Sequence, residues 1–174
     1  MNYKKYIGFL FLVVLSGCVE IPKYDDTPVI YYNGVDQYTE IDDNNKKVRE
    51  NILITINFED GDGDLGASSA ERLDEAFTAR YGNWGNYELV TVRKNLDGTW
   101  TESILSEDQV KWLPLLKPDG KSGPLKGKLD LAVSYLYANS TVPITLKYKV
   151  RIRDRALRVS NQIETDTVSV PGYR

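Results

Sequence analysis

Asn51-Ile-Leu-Ile-Thr-Ile-Asn-Phe58 is the stretch that decides the fold. Ile52, Ile54, Ile56 and Phe58 fall on one face, and Asn51, Leu53, Thr55 and Asn57 on the other. A two-residue period belongs to a strand with one buried side, and isoleucine-rich sequence suits a pleated surface. The strand runs straight into Glu59-Asp-Gly-Asp-Gly-Asp-Leu-Gly66, which sets four carboxylates within six residues and threads glycines between them. Like charges this close repel, so a folded loop of this kind needs a cation or strong donors. Aspartates supply hard oxygens and glycines let the backbone turn about one point, which matches the demand of Ca2+ for roughly six to eight oxygen ligands. The loop therefore predicts a structural calcium site at a strand end, with Asp60, Asp62 and Asp64 as ligands. The competing reading is a solvated acidic turn.

Outward from this strand the same period recurs. In Ile144–Arg153, Leu146, Tyr148, Val150 and Ile152 alternate with Lys147, Lys149, Arg151 and Arg153. The basic row is either a solvated face that discourages edge pairing or a surface for an acidic partner. Asp97-Gly98 between Tyr87–Lys94 and Thr99–Ile104 predicts a hairpin. Lys128–Tyr135 alternates as well, Pro28–Tyr32 reads as an edge-like first strand, and Gln162–Val170 as a last one. Residues 35–47 read as an acidic loop with a strand fragment at Gln37–Ile41. Ser68–Tyr81 reads as a short helix capped by Ser68 or Ser69, or as a loop. Val110–Leu116 is apolar but broken by Pro114. About seven short strands with little helix predict an all-β domain over residues 28–174, an antiparallel β-sandwich of immunoglobulin or fibronectin III type, with a closed barrel as the alternative. The single cysteine excludes an internal disulfide and so the antibody kind of sandwich.

In such a sandwich the second and sixth strands run the same way, so the loops that follow them share one end. That places Asp154 beside the acidic loop as a fourth metal ligand; the alternative is a salt bridge to Arg153 or Arg155. An EF-hand is excluded, because its sixth position needs Gly and here holds Leu65, and because a strand precedes the loop. Glu59 and Glu71 stay open as further ligands.

The N-terminus carries a second signal. Lys4-Lys5 is a positive region, Tyr6–Leu15 is an apolar run too short to span a bilayer, and Leu15-Ser-Gly-Cys18 follows. This resembles a bacterial lipobox, which implies a signal peptide over 1–17, lipidation of Cys18, a membrane anchor through its acyl chains, and a polar tether over 18–27. Val19 rather than Asp after the cysteine favours the outer membrane by resemblance to bacterial sorting rules. Glu20 stands alone and Asp25-Asp26 comes late, which favours the periplasmic face over the cell surface.

Phe58-Glu-Asp-Gly-Asp-Gly-Asp-Leu-Gly66, followed far downstream by Asp154-Arg-Ala-Leu157 and Ser160-Asn-Gln-Ile-Glu-Thr165, resembles a family of small Bacteroidetes lipoproteins with an immunoglobulin-like domain. The resemblance covers the lipobox and most of residues 28–170. It implies a fold and a location but no activity. At Arg158 the family pattern has Asn, so that side chain is not carried over as a ligand.

Charge and composition narrow the function. The net charge is −3, and removal of 1–17 with its two lysines leaves 20 basic against 25 acidic residues, or −5, which excludes a nucleic-acid binder. The absence of histidine excludes histidine-based catalysis and most zinc sites. With the cysteine assigned to lipid and the carboxylates to an ion, the sequence predicts a non-enzymatic interaction or accessory module with an envelope protein as partner. The alternative is a glycan- or surface-ligand-binding lipoprotein that uses Trp84, Tyr81 and Tyr87, with Trp84 expected to be exposed among its glycines and asparagines. Core and hairpin packing is the plainer use of those rings.

Overall fold

In the computed structural model, which describes residues 22–137 and 142–172, the alternating stretch lies inside β2 (Lys47–Asp60). The predicted signal peptide and Cys18 lie outside the described residues. β2 is the centre of a three-stranded antiparallel sheet, flanked by β1 (Val29–Ile41) and β5 (Leu125–Leu136). The second sheet is also antiparallel. It joins β4 (Trp100–Ser103), β3 (Tyr87–Lys94) and β6 (Pro143–Ile152) in that order, and β6 then pairs with both β7 (Ile163–Glu164) and β8 (Val168–Pro171). The fold is all-β and sandwich-like.

The alternation explains the core. Ile52, Ile54, Ile56 and Phe58 of β2 are buried together with Leu146, Tyr148, Val150 and Ile152 of β6, and the same cluster takes in Ile30, Leu89, Leu131 and Val170. Both sheets thus turn their apolar faces to one another. Inside, the Tyr148 hydroxyl donates to the Tyr135 hydroxyl at 2.9 Å, so two large rings from opposite sheets are buried with their polar ends joined.

Three elements differ from expectation. Residues 35–41, read mainly as loop, continue β1 and pair with β2 from Val35–Ile54 to Ile41–Lys47. The ladder supplies what the polar composition lacks. The reversal comes only at 42–46, where Asp42 Oδ1 accepts from the amides of Asn44 and Lys46, both at 2.9 Å. The predicted helix over 68–81 shrinks to a 3-10 turn at Glu71–Leu73 and a five-residue α1 (Glu75–Ala79). Ser68 and Glu71 cap one another reciprocally on the turn, whereas Asp74 caps α1 through the amides of Ala76 and Phe77. Leu73 is exposed, and of the apparent helical stripe only Phe77 packs inward, against Tyr81 and Trp112. The last strand is divided, with Thr165 bridging between β7 and β8: its amide and hydroxyl both hydrogen-bond the backbone of Tyr148.

Among the described residues no helix is long and apolar enough to cross a membrane.

Candidate metal centre

Asp60 is the last residue of β2, and Asp154 follows β6 by two residues. The loop after β2 and the turn after β6 meet, and one carboxylate oxygen from each of Asp60, Asp62, Asp64 and Asp154 lies within 4.8 Å of the others. Oxygens sharing one Ca2+ at about 2.3–2.6 Å stand at most roughly 5 Å apart, so the spacing fits a single ion.

The loop is held from behind. The Ala67 amide donates to Leu113 O at 3.0 Å, the Leu116 amide to Leu65 O at 3.2 Å, and the Gly123 amide to Asp62 O at 3.0 Å. Gly66 has φ of +95° and faces the Pro114 carbonyl, where any side chain would collide. Leu65, the residue that excludes an EF-hand, is fully buried and belongs to the core. The turn after β6 closes when the Asp154 amide donates to Arg158 O at 3.1 Å and the Leu157 amide to Asp154 O at 3.2 Å. Leu157 takes φ of +68°, a conformation costly for a non-glycine.

The four carboxylates have unequal surroundings. Asp60 is wholly buried and neither of its oxygens makes a well-formed hydrogen bond. Burial, reinforced by Asp62, Asp64 and Asp154, pushes its carboxyl up to about 7, the Asp64 backbone alone opposing the rise. Asp154 is also fully buried; its Oδ1 accepts from the Arg158 amide at 2.8 Å, and its Oδ2 lies 3.0 Å from Arg158 Nε. Burial raises its carboxyl to about 6, against the opposing bond from the Arg158 backbone. Asp64 accepts from the Arg155 amide at 3.2 Å, and burial raises it as well. Asp62 is half-buried, with Oδ2 on the Arg158 guanidinium and Oδ1 unpartnered.

Glu59 and Glu71 are occupied elsewhere. Glu59 pairs with Lys126 at 2.8 Å and accepts from the Tyr31 hydroxyl at 3.3 Å. Glu71 pairs with Arg155, whose hydrogen bond holds the Glu71 carboxyl down to about 2. The salt bridge weighed for Asp154 goes to neither neighbour: Arg155 is committed to Glu71, and Arg153 donates to Gly85 O at 2.7 Å and to Tyr81 O. Its partner is Arg158, four residues on, which also approaches Asp62 and, at 3.7 Å, Asp26. Arg158 and Asp26 are the site residues that sequence reasoning missed. The Asp154–Arg158 spacing was the available signal, but only a closed turn brings the two together.

The residues read as a tether also reach the site. The Gly61 amide donates to Asp25 O at 2.8 Å, and the Thr27 amide to Asp25 Oδ1 at 2.7 Å.

The aromatic residues do not converge on an exposed face. Tyr81 and Tyr87 are buried, and Tyr81 packs edge-on against Trp112 with centroids 4.8 Å apart. Trp84 is half-buried rather than exposed, with the Arg153 guanidinium 4.1 Å from its ring centroid. The basic row of β6 is likewise matched within its own sheet: Lys147 with Glu164, Lys149 with Glu102, and Arg151 with Glu88.

The donor set at the cluster is all oxygen, which belongs to hard cations and not to the nitrogen and sulfur sites of zinc. Two buried carboxylates, three orphaned oxygens and a rigid backing loop fit such an ion. No family model, no curated protein and no solved structure matches this chain.

Proposed function

We propose that this chain is a lipid-anchored domain of the bacterial outer membrane, of immunoglobulin or fibronectin III type, that serves as a non-enzymatic interaction module of an envelope complex. One structural Ca2+ pins the loops at one end. The observation that carries this reading is Asp60: a fully buried carboxylate with both oxygens unpaired, facing three others. Such a group is costly unless it is neutralised or coordinated. Asp60, Asp62, Asp64 and Asp154 would hold the ion, and the ion would supply fixed positive charge that joins the β2 and β6 ends. Calcium is favoured over Mg2+, which keeps several waters and uses only one or two carboxylates.

The immunoglobulin-like type is supported by strand order, with the first, second and fifth strands in one sheet and the fourth, third, sixth, seventh and eighth in the other. The anchor rests on the Leu15-Ser-Gly-Cys18 motif, and the periplasmic face on the residues after it. The non-enzymatic reading rests on the missing histidine and on carboxylates that converge on one point.

Two experiments test this. Chelation with EDTA is expected to lower the melting temperature and Ca2+ to restore it, with Mg2+ much less effective; a melt indifferent to both removes the ion. Fractionation is expected to place the protein in outer membranes and a Cys18→Ser variant in the soluble fraction. Equal membrane recovery of both would remove the lipid anchor.

A further inference from the structure

We propose that Arg158 is the resident counter-charge of the acidic cluster, displaced by the entering cation and passed to Asp26, so that ion binding clasps the N-terminal segment onto the domain. This inference rests on the calcium reading above and deepens it. The Arg158 guanidinium touches Asp62 and lies 3.0 Å from Asp154, so it covers one oxygen on each of two candidate ligands. A divalent ion and a guanidinium held on the same two carboxylates repel one another. The ion therefore gains Asp62 and Asp154 fully only when Arg158 lets go. The turn from Asp154 to Arg158 fixes the backbone from which this side chain leaves. The third carboxylate within its reach is Asp26 at 3.7 Å, which is well exposed and free of the cluster.

The segment that Asp26 belongs to is already seated beside the loop. Asp25 O takes the Gly61 amide, and Lys126, paired with Glu59, lies 5.9 Å from the Tyr24 ring. A cation that orders Gly61–Asp64 orders the surface on which residues 24–27 rest, and the released guanidinium tightens the pair that it already makes with Asp26 at 3.7 Å. In a chain anchored upstream, holding these four residues withdraws roughly 13 Å of extended reach between anchor and domain. The cation site then sets how freely the domain moves from its membrane.

Calorimetric titration of Ca2+ into the detergent-solubilised full-length mature protein tests this, together with amide hydrogen exchange at residues 24–27 and Gly61. Arg158→Gln is expected to bind Ca2+ at least about tenfold tighter than wild type, since a competing charge is gone. Arg158→Lys, which keeps the charge, is expected to bind like wild type. In wild type, Ca2+ slows exchange at Gly61 and Thr27 several-fold. Asp26→Asn keeps the affinity within about threefold and loses that protection at Thr27. Equal or weaker binding by Arg158→Gln, or exchange at 24–27 that ignores Ca2+ in wild type, overturns the proposal. If neither wild type nor Arg158→Gln binds Ca2+, the calcium reading falls with it; if both bind equally, only the coupling falls.

Discussion

At the scale of single residues, Asp60 makes the sharpest prediction because its effect changes sign with the ion. Without a cation its charge is buried, unpaired and set among three other carboxylates. Asp60→Asn removes that charge, so in EDTA the variant should be more stable than wild type by about 1–3 kcal/mol. In Ca2+ it should be less stable, because a ligand is gone. Melting curves under both conditions check this. The pH dependence follows from the same group. Its carboxyl titrates near 7 in the folded protein, because of burial first and the neighbouring aspartates second, and near 3.9 when unfolded. Between those values the folded metal-free protein binds more protons than the unfolded chain, so its stability falls as pH rises from about 4 to about 7. Ca2+ competes with that proton, so its affinity should rise over the same interval, as titrations at pH 5.5 and 7.5 would measure. The clustering of Asp60, Asp62 and Asp64 was legible from alternation with glycine. The position of Arg158 was not, because it depends on a turn with Leu157 in the left-handed region, a conformation its side chain does not advertise.

At the scale of elements, β2 and β6 were legible because each buries one face, from Ile52 to Phe58 and from Leu146 to Ile152, so the two-residue period survives there. Ile54 sits at 0% exposure in the middle of that core. Ile54→Ala should cost about 2–5 kcal/mol, read as a lowered denaturation midpoint with an unchanged slope. On the outer face of the second sheet, Lys149→Ala should leave the denaturation midpoint nearly unchanged, because its pair with Glu102 is open to solvent. The backing loop is stricter than either: Gly66→Ala must take up positive φ and push aside the Pro114 carbonyl, so it should cost more than about 1 kcal/mol and weaken cation binding as well. The second half of β1 was legible only as the fragment Gln37–Ile41, for the opposite reason. Asp36, Gln37, Thr39 and Glu40 lack an apolar face, and pairing with β2 alone makes them strand. Part of that polarity has an internal use: Gln37 and Thr39 donate to the buried Glu50 at 2.8 Å and 2.7 Å. Those bonds, with one from Tyr137, outweigh the desolvation that would raise the Glu50 carboxyl and hold it below its ordinary value.

At the scale of the whole molecule, one topological statement joins fold and site. The second and sixth strands deliver their following residues to the same place, so Asp154 joins three aspartates that precede it by some ninety residues. That meeting was legible once a sandwich was inferred. The aromatic side chains have internal uses: Tyr81 and Tyr87 are buried, and the Arg153 guanidinium lies over the Tyr81 and Trp84 rings. If a cation closes the β2 and β6 ends, saturation at a hundred times Kd adds about 2.7 kcal/mol of stability, a rise of roughly 5–11 °C for a domain of this size. The most direct test is a crystal structure of the domain grown with millimolar Ca2+ and examined for anomalous scattering. The account predicts one peak, with an oxygen of Asp60, Asp62, Asp64 and Asp154 each at about 2.3–2.6 Å, and the Arg158 guanidinium turned towards Asp26. A cluster with no peak at that calcium concentration, and Arg158 still bridging Asp62 and Asp154, would contradict it.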